Sequence, residues 1–180
     1  MKDPWTEASA STLWSFYPHS RQWTEIQVNG SWPYSRYQHG LTGAGSRLYL
    51  FGGVYSDGFS NDLWAFSTAT STWAELASGA PGPSARSGLG FASSGGLLYV
   101  LGGWNGEYLR DLWAYDSAQD GWSDRTSSVE GGGTWPRGGV AEGLLGGAEG
   151  LLDVAGELFS VNMRSGAGIA PAISVPNFNL

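Results

Sequence analysis

Three arginines recur in similar local settings. Arg36 and Arg86 each follow a proline by three positions, and Arg137 follows a proline directly. A guanidinium group presents five donors in a planar fork, which suits a carboxylate or a phosphorylated side chain. If the three lie side by side, they could bind such groups on a partner. The alternative is that each arginine forms an ion pair with an acid of its own or a neighbouring structural unit.

The chain offers little material for catalysis or metal binding. It has no cysteine and only two histidines, so thiolate chemistry is excluded and no transition-metal site is recognisable. We interpret His39 as a structural residue and His19 as part of an exposed turn. Asp62 and Asp111 both precede Leu-Trp-Ala, and this repetition indicates a role in the fold, such as bonding loop amides, rather than acid–base catalysis.

A second group of acids lies around one predicted turn. Asp116, Asp120 and Asp124 are spaced by four residues. They could bind calcium weakly, but their spacing does not match an EF-hand loop. A solvated turn is the favoured interpretation, and no metal site or cofactor is predicted.

The elements that must position these side chains are repeated. Residues 48–53 (LYLFGG) return at 98–103 (LYVLGG), 50 positions later, and residues 62–66 (DLWAF) return at 111–115 (DLWAY). A period near 50 is typical of a β-propeller blade. The landmarks of the repeat are Gly52, Gly53, Gly102, Gly103, Asp62, Asp111 and three tryptophan pairs with a spacing of nine, Trp14 and Trp23, Trp64 and Trp73, Trp113 and Trp122.

This combination resembles the kelch repeat, in which an arginine precedes a strand that ends in Gly-Gly, followed by Asp-Leu-Trp and a spaced tryptophan. The resemblance covers residues 13–126 well and 137–161 poorly. It implies an all-β chain built from propeller blades of four antiparallel strands. It also implies a domain that binds other proteins, although a few kelch propellers are enzymes. His39 matches a histidine that kelch repeats commonly carry at the start of the inner strand.

The residue pattern agrees with this fold. Residues 48–51 and 97–101 are continuous apolar runs, which is typical of strands covered on both faces. The glycine doublets end these runs where a turning backbone or a close neighbour leaves no room for a side chain. We expect the repeated tryptophans to pack between blades. Carbohydrate stacking is the alternative for tryptophans in loops, which are Trp32, Trp104 and Trp135.

The repeats divide the chain into five segments. They are a partial N-terminal blade and linker (1–35), a kelch blade (36–85), a kelch blade with a Gly-rich loop (86–136), a degenerate repeat (137–163) and an irregular tail (164–180). If the first and degenerate segments combine into one blade, the total is about three. Propellers have roughly four to eight blades, so we predict an open arc, with self-association through its open blade faces as one outcome.

Composition limits the partners. The formal net charge is −7, so nucleic acid and anionic membranes are not expected to bind. No apolar run is long enough to span a membrane, and residues 1–20 lack the apolar core of a signal peptide. With no cysteine, these features favour a cytoplasmic location.

The leading functional prediction is a protein–protein interaction module that binds a protein or peptide, with an acidic one as an option, through the loops between strands. Exposed aromatic side chains on a rigid scaffold are common in binding surfaces. The candidate residues are Arg36, Arg86, Arg137, Tyr55, Phe59, Trp104, Asn105 and Tyr108. The alternatives are a kelch-architecture enzyme of the sugar epimerase or lyase type, and a propeller fragment without function.

Overall fold

The computed structural model describes residues 11–56, 58–76, 81–129, 151–154 and 157–163, and these are almost entirely β. They form three four-stranded antiparallel sheets and one two-stranded ribbon. A single short helix, α1 (Thr126–Val129), occurs in the described part of the chain. The predicted all-β architecture of four-stranded blades is confirmed.

The first sheet joins the two ends of the sequence, and we call it the composite blade. Its strand order is β13-β14-β1-β2, so the N-terminal strands pair with the C-terminal ones. The strands are β1 (Ser11–Tyr17), β2 (Gln22–Ile26), β13 (Leu151–Val154) and β14 (Glu157–Met163). The two incomplete repeats therefore combine into one blade.

The other two blades are continuous in sequence. The middle blade consists of β3 (Gly40–Ala44), β4 (Arg47–Phe51), β7 (Leu63–Ser67) and β8 (Thr72–Leu76). The third blade consists of β9 (Gly90–Ser94), β10 (Leu97–Trp104), β11 (Tyr108–Asp116) and β12 (Gly121–Asp124). The ribbon of the middle blade pairs β5 (Val54–Tyr55) with β6 (Gly58–Phe59).

The three blades follow one another in an open arc. The inner strand of the middle blade, β3, contacts β9 of the third blade and β13 of the composite blade. Each contact between neighbouring blades has its own apolar core. The first core contains Leu13, Leu41, Leu48, Leu50, Trp64, Phe66 and Trp73, and the second contains Tyr49, Phe51, Leu63, Ala65, Phe91, Leu98, Val100 and Tyr115.

The tryptophans divide between these cores and the surface. Trp64 and Trp73 are buried in the first core, and Trp113 and Trp122 pack at the edge of the second. Trp23 differs, because 38% of its surface is exposed. The prediction of packing between blades therefore holds for the middle and third blades, whereas Trp23 lies on a face that no neighbouring blade covers in the described part of the chain.

Each blade has two ends. One end carries the tight turns that connect the outer two strands, at residues 17–22, 67–72 and 116–121. The other end carries the residues before each inner strand and the connections from β4 to β7 and from β10 to β11. We call this second end the loop face. In the described ranges, no helix is long and apolar enough to cross a membrane.

Candidate functional site

The glycine doublets fix the base of the loop face by allowing two chain segments to approach closely. Gly52 has a φ of +67°, and a Cβ there would lie 2.8 Å from the carbonyl oxygen of Arg86. The Gly53 N–H donates to that same carbonyl oxygen at 2.8 Å. A Cβ on Gly103 would similarly lie 2.8 Å from the carbonyl oxygen of Ser87. The residues before β9 are therefore seated against the first doublet, in the middle blade, and against the second doublet, in their own blade.

Arg36 lies below this base and bonds to residues of its own blade. Its Nε–H donates to the carbonyl oxygen of Tyr34 at 3.0 Å, and its Nη1 donates to the carbonyl oxygen of Gly52 at 3.0 Å. The guanidinium also binds Asp62 with both nitrogens, the Nη2 to Oδ2 distance being 2.7 Å. The side chain is therefore a clamp that ties three segments of the middle blade together.

Arg86 repeats this arrangement in the third blade. Its Nε–H donates to the carbonyl oxygen of Ser84 at 2.8 Å, and its Nη1 donates to that of Gly102 at 2.9 Å. Asp111 accepts from both terminal nitrogens at 2.6 and 2.8 Å. The remaining donor binds the Ser84 hydroxyl at 3.0 Å, so all five guanidinium N–H groups have partners.

This geometry corrects the prediction that the arginines bind a partner. Arg36 and Arg86 are 1% and 0% exposed, and each forms the ion pair within its own blade that was the alternative interpretation. A buried guanidinium whose donors are occupied cannot reach a carboxylate on another molecule without leaving its aspartate unpaired. Arg137, the third candidate, lies outside the described residues.

The two aspartates have the structural role that their repetition indicated, but their partners are side chains rather than loop amides. Besides its arginine, Asp62 accepts from the indole Nε1 of Trp64 at 2.7 Å, and Asp111 accepts from that of Trp113 at 2.9 Å. Burial alone would raise the pKa of both carboxyl groups. The hydrogen bonds and positive charge of the paired arginines outweigh burial and hold each pKa below its usual value.

His39 lies close to the arginine clamp of the middle blade, with both ring nitrogens buried and without a hydrogen-bond partner. Burial, and secondarily the charge of Arg36, lower the pKa of His39 to about 4. The imidazole is therefore neutral at physiological pH. This is a structural position, and a proton-transfer role near neutral pH does not suit it.

The predicted aromatic residues occupy the rim of the loop face, with unequal exposure. Trp104 and Tyr108 are 40% and 74% exposed, and their rings meet edge to face with centroids 4.7 Å apart. Tyr55 and Phe59 are half-buried in the β5–β6 ribbon. Asn105 is half-buried, and its side-chain oxygen accepts from the backbone N–H of Glu107 at 3.4 Å, so it shapes the loop.

Two further exposed aromatic residues lie on the same face and were missed in the sequence. Tyr34 and Tyr37 are 80% and 41% exposed. Tyr37 exchanges backbone hydrogen bonds with Val54 at 3.0 and 2.9 Å, and this contact places it beside the ribbon. Their position beside Arg36 was not a sufficient signal, because Ser87, the counterpart of Tyr37 beside Arg86, is 2% exposed.

The remaining acids have local partners. Asp116 caps its own turn by accepting from the backbone N–H of Ala118 at 2.8 Å, and Asp120 accepts from the hydroxyl of Tyr115. Asp124 accepts from the backbone N–H of Thr126 at 2.8 Å. Over the described ranges, no group of three or more potential metal-ligating side chains is assembled. The carboxylates of this turn therefore bond to groups close to them in the sequence.

The enzyme alternative required two facing carboxylates, or a histidine paired with a carboxylate, in a pocket between loops. The two loop-face carboxylates whose partners are defined, those of Asp62 and Asp111, are each bound by an arginine of their own blade. No observation in the described part of the chain favours that alternative.

Comparison with known proteins agrees with the repeat structure. Residues 5–146 match the family model of the KLHDC2/KLHL20/DRC7 kelch-repeats domain, and this match spans well over half of the sequence. Among curated proteins, none matches the chain significantly. The matched region includes both clamps, both glycine doublets and the aromatic rim. The chain therefore belongs to the kelch-repeat family.

Proposed function

We propose that the chain binds a protein or peptide segment through the aromatic rim, defined as Tyr34, Tyr37, Trp104 and Tyr108. Kelch-repeat domains generally serve as protein-interaction modules. The observation that carries the proposal is the exposure of four large aromatic side chains, between 40% and 80%, at one end of two neighbouring blades. Tyrosine and tryptophan are the residues that contribute most often to binding hot spots.

The rim is held in place by the backbone beneath it. Trp104 exchanges backbone hydrogen bonds with Ser87 at 2.8 and 2.9 Å, and it pairs with Tyr108 across the β10–β11 ladder. Aromatic side chains have few rotatable bonds, so little conformational entropy is lost when they bind. A partner would therefore meet a surface that is largely preorganised.

The chemistry of the rim points to apolar side chains on the partner. The two described arginines below it are neutralised by their aspartates and lie below the surface. An acidic partner, one option raised from the sequence, would have to be attracted by other groups. We therefore propose a segment that inserts apolar side chains between the exposed rings and bonds to the tyrosine hydroxyl groups.

The experiment is a selection of peptides from a random display library on the wild-type protein, followed by calorimetric titration of the best binder. Replacing Trp104 and Tyr108 together by alanine should weaken its affinity at least about tenfold, because two hot-spot side chains are removed. Tyr17→Ala is the matched control, since Tyr17 is also 38% exposed but lies at the opposite end of its blade.

Two results would contradict the proposal. In the first, the selected peptide binds the double variant as tightly as the wild-type protein. In the second, Tyr17→Ala weakens binding as much as the double variant does. Thermal melting of all three proteins establishes that any difference arises in folded samples.

A further inference from the structure

The same aromatic pair is built into every blade. In each pair a ring from the third strand of the blade packs against the tryptophan that follows it on the fourth. The centroid distances and interplanar angles are 4.9 Å and 40° for Phe16 and Trp23, 5.2 Å and 51° for Phe66 and Trp73, and 5.1 Å and 53° for Tyr115 and Trp122.

Two of these pairs are covered by the blade before them. Trp73 is 5% exposed and belongs to the core that contains Leu13 of the composite blade. Trp122 packs edge to face on Phe51 of the middle blade, with ring centroids 5.3 Å apart. The pair of the composite blade has the same geometry, but Trp23 is 38% exposed. The face of the composite blade that carries Phe16 and Trp23 therefore resembles one side of a blade interface, and no described blade supplies the other side.

The third blade, at the opposite end of the arc, carries the residues expected on the other side of such an interface. In the middle blade, the face that receives the third blade carries Tyr49, Phe51 and Leu63, which are 4%, 0% and 0% exposed. The register of the third blade puts Tyr99, Leu101 and Leu112 at the equivalent positions. These three are only half-buried, and no described blade packs on them.

We propose that these two end faces are one interface divided between two copies of this chain. The face around Phe16 and Trp23 of one copy packs on the Tyr99 and Leu112 face of the other. The occupant is a second copy because each chain carries both halves, and because its two internal blade contacts show the same residue classes packing in this way. A two-fold axis satisfies both ends at once, and the three described blades of each copy then make a ring of six.

The charges on the two faces are compatible with this contact. Glu25 lies two residues after Trp23 and is exposed, and Glu75 has the same relation to Trp73 at an internal blade contact. An acid at this position therefore does not prevent packing. The third blade has Arg125 where the other blades have Ile26 and Leu76, and Asp116 lies on the same face opposite Leu97, so this face carries a group of each sign.

This inference concerns different faces from the aromatic rim and does not depend on the proposed function. The experiment measures the mass of the purified chain by sedimentation velocity over a range of concentrations. The expected species is a dimer, with twice the chain mass of 19.1 kDa. Trp23→Lys and Tyr99→Lys should each weaken dimerisation at least about a hundredfold, because every dimer then has two damaged junctions.

Mixing the two variants is the sharpest form of the test. A mixed dimer has one intact junction and one doubly altered one, so an equimolar mixture should form dimers more readily than either variant alone. Ala69→Lys is the control, since it adds the same charge at an exposed turn of the middle blade and should leave the dimer unchanged. The milder pair Trp23→Ala and Tyr99→Ala replaces the lysine variants if either of those fails to fold.

Three results would overturn the proposal. The first is a wild-type chain that stays monomeric at its highest soluble concentration, which would show that a second copy does not cover the end faces. The second is a dimer that Trp23→Lys dissociates and Tyr99→Lys does not, which would indicate that like faces pair. The third is a series of masses that grows beyond the dimer with concentration, which would show that the contact does not close.

Discussion

The middle and third blades share one set of positions and differ in another, and the two sets lie in different places. The shared set forms the arginine clamps and consists of Arg36 and Arg86, Gly52 and Gly102, Asp62 and Asp111, and Trp64 and Trp113, with matching contacts. The differing set lies at the rim, where Tyr34, Tyr37, Val54 and Tyr55 are replaced by Ser84, Ser87, Trp104 and Asn105.

This comparison indicates which positions of a repeat determine the stability of the blade and which are available for binding. The arginines of the clamps are buried and form hydrogen bonds and an ion pair within their own blades, so a change there alters the stability of the blade. Most of the differing positions are exposed or half-buried, and Ser87 is the buried exception. Exposed positions can change from repeat to repeat without altering the fold. The predictions below test whether stability depends on the clamp and binding depends on the rim.

The largest effect is expected from breaking a clamp. Asp62→Ala leaves the fully buried Arg36 guanidinium without its counter-ion and removes the acceptor of the Trp64 indole. Removing one partner of a buried ion pair costs about 3–5 kcal/mol, and urea denaturation should show a loss of this size in the free energy of unfolding. Glu75→Ala, at an exposed carboxylate of the same blade, should change the free energy of unfolding by less than about 0.5 kcal/mol. A cost for Asp62→Ala equal to that of the control would contradict the clamp.

The next effect is a dependence of stability on pH that originates at His39. Its pKa in the folded chain is about 4, below the ordinary histidine value of 6.5, so the unfolded chain binds a proton that the folded chain excludes. The free energy of unfolding is therefore highest above pH 6.5 and falls as the pH drops toward 4, by up to about 3 kcal/mol.

The variant that isolates this effect is His39→Gln, which cannot take up the proton. Between about pH 6.5 and 5, where few carboxyl groups titrate, its free energy of unfolding should be less dependent on pH than that of the wild type by up to about 1.4 kcal/mol per pH unit. Equal slopes for the two proteins would show that His39 is not shielded from water as its buried nitrogens indicate.

A smaller effect is expected at the glycine doublet. Gly52 and Gly45 have similar backbone angles, with φ of +67° and +60°. A Cβ added to Gly52 would lie 2.8 Å from the carbonyl oxygen of Arg86, whereas a Cβ added to Gly45 would meet no atom within 4 Å. Both substitutions to alanine incur the strain of a positive φ, and Gly52→Ala should cost at least about 2 kcal/mol more. Similar melting temperatures for the two variants would show that the neighbouring segment can move away.

Much of the fold could be predicted from the sequence, because equivalent residues recur wherever the repeat places them in the same structural environment. The apolar run of β4 is buried on both faces as predicted, but β10 alternates between buried and half-buried positions, because no described blade covers its second face. The 50-residue period predicted the blades, and the incomplete first and last repeats predicted a composite blade. Each of these features depends on local pattern and on the number of strands that a blade needs. The segment boundaries and the cytoplasmic location stay predictions.

The candidate site was less predictable because it depends on contacts between distant residues. Arg36 and Asp62 are 26 positions apart, and only the folded blade shows that they neutralise each other. Tyr34 and Tyr37 carried no mark in the sequence, because flanking a buried arginine does not fix exposure: Tyr37 is 41% exposed and its counterpart Ser87 is 2% exposed. A spacing can show that a residue recurs, but its exposure to solvent is set by packing.

The most direct test of this division compares affinity and stability in two variants. Arg86→Lys removes the bidentate contact of the third-blade clamp, and Trp104→Ala with Tyr108→Ala removes part of the rim. For a peptide selected on the wild-type protein, Arg86→Lys should lower the melting temperature and leave Kd unchanged in the folded sample. The rim variant should keep its melting temperature within a few degrees and raise Kd at least about tenfold. A folded Arg86→Lys protein whose Kd rises about as much as that of the rim variant would contradict the account, because it would show that the arginine itself binds the partner.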